Sequence, residues 1–134
     1  MLTLLCCTVT WAQSSDVLSG EFTINASGDK VHFSKGNLQY VNGNYQFAEH
    51  QYEYFGTTQS ANHCDLFAFN NYHTPDGDVL WRIMSKDEWK YLLTERSVNN
   101  TLSTGARYSK ATIGDEYKGV IVFPDNYTHP EGTG

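Results

Sequence analysis

Residues 79–96, VLWRIMSKDEWKYLLTER, carry an apolar run into an amphipathic one through a single serine. The run Val79–Met84 has strand character, and Ser85 with Glu88 three positions on forms an S-x-x-E capping box. In that box each side chain satisfies a free backbone amide of the first helical turn. Trp89, Leu92 and Leu93 then share one face at helical spacing, while Lys86, Asp87, Lys90 and Glu95 fall mostly elsewhere. The pattern predicts a strand entering a helix of about residues 86–96. An Arg and a carboxylate beside aromatic rings can also hold a sugar or a peptide. The helix-start logic nevertheless explains Trp81, Arg82, Ser85, Glu88 and Trp89 as an architectural joint.

Upstream, EFTI (21–24), KVHFS (30–34), NLQYV (37–41) and NYQFA (44–48) alternate apolar and polar residues with the period of half-buried strands. Asn42-Gly43 supplies the positive φ angles of a tight hairpin turn. QYEYFG (51–56) would extend the aromatic face. From Thr57 to Asp78 the pattern dissolves into polar residues around the apolar knot DLFAF (65–69), which reads as a long surface loop. Downstream, YSKATI (108–113) and KGVIVFPD (118–125) read as two strands joined through Gly114-Asp115-Glu116. Val120 to Phe123 in succession suggest a strand buried on both faces. The expected fold is α+β: an antiparallel sheet against one main helix, with Trp81, Trp89, Leu92, Leu93 and Phe123 in the core.

The 134 residues suit one folding unit rather than two. Fifteen acidic residues against nine Lys and Arg leave a net charge of −6 with no basic run, which argues against nucleic acid as a partner. The uncharged stretch MLTLLCCTVTWA reads as a secretory signal peptide over residues 1–12, too short to span a bilayer comfortably. A mature domain over 13–134 would then lie outside the cytoplasm, secreted, periplasmic or at the cell surface. Cleavage after Ala12 removes Cys6 and Cys7 and leaves Cys64 alone, so packing must hold the exported domain together.

Few residues invite chemistry. His63-Cys64-Asp65 combines imidazole, thiol and carboxylate, but adjacent residues rarely converge on one ion, and no CxxC, HxxxH or HExxH spacing supports them. His32, His50, His73 and His129 are scattered. Asp76-Gly77-Asp78 after Pro75 fits an ordinary turn, whereas calcium needs about six or seven oxygens. No metal, cofactor or catalytic residue is expected. The tyrosines of 40–54 suit a packed sheet face, although aromatic residues also line sugar-binding surfaces.

VHFSKGNLQY, YQFAEHQYEYFG, DLFAF, WRIMSKDEWKYLLTER, KAT and GVIVFPDNY together resemble a family of exported Bacteroidetes proteins. That family is related to the Fibrobacter major paralogous domain and, more distantly, to the formylglycine-generating enzyme and sulfatase-modifying-factor superfamily. The resemblance covers residues 31–127 and is most specific at Trp81-Arg82 through Trp89, similar to a W-R-L-P-T-x-x-E-W signature, with Met84 and Ser85 in place of its proline and threonine. It implies a C-type-lectin-like fold of which this chain carries the N-terminal half to two-thirds. It also implies that the copper-binding cysteine pair of the enzymes belongs to a later part. The expected function is therefore an exported, non-catalytic binding or adhesion domain for a glycan, peptide or surface protein. Its contacts would lie in the loop of residues 57–78, with His63, Phe67 and Tyr72 as ligand-binding candidates. The alternative is an oxidase of the formylglycine-generating type in a longer form of the chain. The sequence assigns no oligomeric state.

Overall fold

Asn42 and Gly43 take φ angles of 49° and 92°, the left-handed pair that a two-residue hairpin turn demands. They join β3 (Leu38–Val41) to β4 (Asn44–Phe47) in the register Leu38↔Phe47, Gln39↔Gln46, Tyr40↔Tyr45 and Val41↔Asn44. The computed structural model describes residues 16–66, the backbone of 71–73, and residues 80–98 and 105–128. The leader, Phe67, the Asp76-Gly77-Asp78 turn and His129 lie outside the described residues, as does the side chain of Tyr72.

Two strands arise where the sequence reads as loop. β5 (His63–Asp65) pairs antiparallel with the second edge of β3, Gln39 facing Asp65 and Val41 facing His63. β6 (Asn71–His73) pairs with β7 (Leu80–Arg82), Tyr72 facing Trp81. Neither has an alternating pattern to announce it. β5 forms because the body of the sheet supplies partners: Gln39 Nε2 donates to Asp65 Oδ1 at 2.9 Å, and the Phe55 amide donates to Asp65 Oδ2 at 2.7 Å. The aromatic stretch 51–56 does not extend the sheet. The Glu53 carboxylate accepts from the His50 amide at 3.0 Å, closing a turn, and the chain passes into a 3-10 helix at Gly56–Thr58.

β1 (Phe22–Thr23) and β2 (Lys30–Val31) form a short antiparallel ladder. β8 (Tyr108–Ile113) and β9 (Tyr117–Val122) form a longer one, turned at Gly114 with φ 59°. Among the described residues, the expected single sheet is thus four separate antiparallel sheets, one of three strands and three of two. The doubly buried strand expected at residues 120–123 is corrected as well. Val120 and Ile121 are 57% and 51% exposed, because among the described residues β8 and β9 pair only with each other and the middle of the ribbon stays open to water.

The helix starts as expected. Ser85 Oγ accepts from the Glu88 amide and the Glu88 carboxylate accepts from the Ser85 amide, which opens α1 (Lys86–Lys90). Its last turn, Tyr91–Glu95, widens to π geometry, with the Arg96 amide donating to the Tyr91 carbonyl at 3.0 Å. Thr94 Oγ1 donates to the Lys90 carbonyl at 2.7 Å, a side-chain contact that competes with the regular ladder at this point.

The widened turn carries Leu92 and Arg96 inward until both are 0% exposed. Phe22, Ile24, Leu38, Ala48, Trp81 and Phe123 are the other buried apolar residues among those described. Trp89, expected in the core, is 39% exposed: it sits at the margin of the helix face, against the Phe33 ring rather than beneath the sheet. Leu93 is half-buried. Among the described residues, no helix is long and apolar enough to cross a membrane.

The most buried polar group ties the pieces together. Arg96 donates to the Leu92, Arg107 and Phe123 carbonyls, and its NH1 reaches Asp125 Oδ1 at 2.7 Å. Asp125 also accepts from the Thr23 amide at 3.0 Å and from Thr23 Oγ1 at 2.7 Å. One ion pair therefore joins the helix end, β1 and the exit of β9. Each of the three guanidinium nitrogens donates to an acceptor, which is what makes so deep a charge tolerable.

Candidate functional site

Strand parity decides which side chains can share a site. Along β3, Leu38 and Tyr40 point to one face and Gln39 and Val41 to the other, since successive side chains alternate. Leu38 faces Phe47 across the ladder, and the Leu66 amide donates to the Leu38 carbonyl at 2.9 Å, so Leu38, Phe47 and Leu66 pave a common surface. The joint between β7 and α1 crosses beside it, and the chain after β2 closes a third side. Together they enclose an open groove of about 300 Å³.

Its walls are aromatic. The Phe33 and Trp89 rings stack with centroids 5.8 Å apart and planes 30° from parallel. Phe47 packs on Trp81 at 4.9 Å. Gly36 lines the groove and admits no side chain: a Cβ there would stand 2.2 Å from the Ala48 carbonyl oxygen.

The polar side of the groove is Arg82, whose charge is balanced by Glu88, a neighbour outside the lining. Arg82 NH1 and NH2 donate to Glu88 Oε2 and Oε1 at 2.8 and 2.6 Å, a bidentate fork that fixes both planar groups. The Arg82 hydrogen bonds, joined by the Ser85 amide, hold the Glu88 carboxyl at about 2, well below its ordinary 4.5. Hydrogen bonding to Glu88 likewise pushes Arg82 further up. On the opposite side His32 Nδ1 faces the Leu18 and Gly20 carbonyls at 3.2 and 3.0 Å, so the hydrogen belongs on Nδ1.

The joint read from the sequence is thus a joint and a wall at once. Ser85 and Glu88 cap the helix, Trp81 is buried, and Trp81, Arg82 and Trp89 line the groove. Of the loop candidates, His63 belongs to β5 and, opposite Val41, projects from the sheet face away from Leu38 and Phe47. Its ring lies edge-on to Phe55 at 5.9 Å. Tyr72 is brought opposite Trp81 by backbone pairing. Cys64 is a free, half-buried thiol opposite Tyr40. Asp65 is a buried anchor for residues 55–65: its carboxylate accepts from the Phe55 and Gly56 amides and its own amide donates to Gln59 Oε1. Among the described residues, no three His, Cys, Asp or Glu side chains gather to hold a metal ion.

Phe33 and His32 are groove residues that sequence reasoning did not single out. The signal available for Phe33 was its shared parity with Val31 in the alternating VHF. Nothing in the sequence says that this strand meets the helix bearing Trp89. The tyrosines of the 40–54 region divide. Tyr45 and Tyr54 are exposed, whereas Tyr52 stacks on His50 and meets Tyr117 of β9 at 5.1 Å.

No protein-family model, curated protein or solved structure matches the chain.

Proposed function

We propose that the chain is an exported, non-catalytic binding domain of C-type-lectin-like fold whose groove takes a neutral glycan. The observation that carries this reading is Trp89, a large ring left half in water at the mouth of a groove when burial would have stabilised the domain. An exposed indole face offers an apolar plane to the C–H face of a pyranose, and the Phe33 ring behind it holds that plane in place. The Arg82–Glu88 fork alongside presents fixed donors and acceptors suited to sugar hydroxyls. Because Glu88 already neutralises Arg82, the rim favours an uncharged ligand over an anionic one. Export rests on the apolar leader, and the wider fold on the resemblance of residues 31–127.

Calorimetric titration with chitotetraose, cellotetraose and mannotetraose tests the proposal, with a heparin-derived oligosaccharide as the anionic control. At least one neutral sugar should bind, and Trp89→Ala should abolish binding while the melting transition persists. Absence of binding by all three neutral sugars, or equal binding by Trp89→Ala, would overturn the glycan reading. Copper-dependent oxidation of a sulfatase-derived cysteine peptide by this chain would overturn the non-catalytic one.

A further inference from the structure

Trp81 sits on β7 where the groove meets the core, 8% exposed, with its ring against Phe47. Its indole nitrogen is fully shielded and has no hydrogen-bond partner. It is the only such side-chain atom among the described residues. A buried donor left unmet costs free energy that an apolar ring of the same shape would not, so the position bears a penalty in the unliganded domain. Trp81 also lines the groove, so a ligand oxygen entering past Trp89 approaches the ring that carries the unmet donor.

We infer that the indole N–H of Trp81 is a ligand-binding donor, taken up by an uncharged hydroxyl or carbonyl oxygen of the molecule that fills the groove. This rests on the reading of the groove as a glycan site and deepens it. The sugar does not merely lie on Trp89; one of its oxygens reaches the groove floor, where a small movement of the ring exposes Nε1. The two tryptophans then divide the work. Trp89 supplies stacking that tolerates many sugars, and Trp81 supplies a directional contact that rejects any sugar lacking an oxygen at that depth.

The test replaces Trp81 by benzothienylalanine, an isostere in which sulfur stands in place of the N–H, in the otherwise intact chain. Stability of the free protein should be unchanged or higher, since an unmet donor has been removed. Affinity for the best binder among chitotetraose, cellotetraose and mannotetraose should fall about tenfold, the value of one hydrogen bond. In the parent protein, that sugar should move the Trp81 indole N–H resonance downfield. If the parent binds and Trp89→Ala does not, yet the isostere binds as the parent does, the Trp81 assignment fails while the glycan reading stands. A loss of stability in the free isostere would show that the N–H already has a partner, and would also overturn the assignment. If the parent binds none of the three sugars, both readings fall together.

Discussion

Arg96 NH1 lies 2.7 Å from Asp125 Oδ1, across 29 residues of sequence, and the guanidinium is wholly buried. The pair closes the frame on which the groove is built: the helix end cannot shift without dragging the exit of β9 and, through Thr23, the end of β1. Arg96 also stands 5.4 Å above the Phe22 ring, so the same cation is held by a carboxylate and an aromatic face.

Removing one partner should be more damaging than the loss of an ordinary surface ion pair. Asp125→Ala strands a buried guanidinium and frees the Thr23 donors, and is expected to cost about 3–5 kcal/mol. Urea denaturation of the variant against the parent measures it. A cost under about 1 kcal/mol would mean that the pair is open to water.

Acid should act chiefly through two carboxylates, Glu88 and Asp125, because Glu53, held low by hydrogen bonds from His50, is open to water. Hydrogen bonds from Arg82 and Ser85 hold Glu88 at about 2. Burial raises Asp125, but the Thr23 and Arg96 hydrogen bonds outweigh it and leave Asp125 below its ordinary 3.8. Both groups bind protons less readily folded than unfolded. Their stabilisation is therefore complete above about pH 4.5 and fades as pH falls through the folded values. Thermal midpoints measured from pH 6 to pH 2 should decline over that window. Glu88→Gln should flatten part of the decline, by no more than about 1 kcal/mol because Arg82 is open to water.

Leu92 and Trp89 lie three residues apart on the same helix yet should respond unequally to truncation. Leu92→Ala opens a cavity at a fully buried site and is expected to cost about 2–5 kcal/mol. Trp89→Ala removes a half-exposed ring stacked on one neighbour and should cost less than half as much. Parallel melts of the two variants decide the order, and a Trp89→Ala protein that fails to fold would place that ring in the core after all.

Gly36→Ala should be among the costliest single-methyl additions in the chain. The new Cβ would meet the Ala48 carbonyl oxygen at 2.2 Å, and a backbone atom at the end of β4 cannot turn aside as a side chain could. A loss of about 1–3 kcal/mol or more is expected, against little steric penalty at Gly119, where nothing lies within reach of an added methyl. Denaturant midpoints of the two alanine variants give the comparison.

Local chemistry was enough to write the 38–47 hairpin, the capped helix start and the 108–122 hairpin from the sequence. In each, the deciding information sits within a few residues: Asn42-Gly43 for one turn, Ser85 with Glu88 for the cap, and Gly114 between two strand-forming runs. β5 was illegible because its partner β3 is remote, and β6 because its three residues carry no alternating pattern. Asp65 becomes a strand residue only once Gln39 and the Phe55 amide are beside it. The exposure of Val120 and Ile121 was illegible for a related reason: a run of β-branched residues states what would suit a buried strand, and only the pairing of the sheet says whether cover exists. The groove divides along the same line. Trp81, Arg82, Ser85, Glu88 and Trp89 are contiguous, so their joint could be read as a motif. Phe33, just past β2, and Phe47, in β4, arrive from separate parts of the chain, and helical spacing alone cannot tell a tryptophan facing the core from one stacked on Phe33 at the edge of water. The sequence determined where the chain turns and where the helix begins, because those are short-range steric and hydrogen-bonding choices. Which aromatic rings meet, and which indole nitrogen is left without a partner, was decided only when distant strands were packed against one helix.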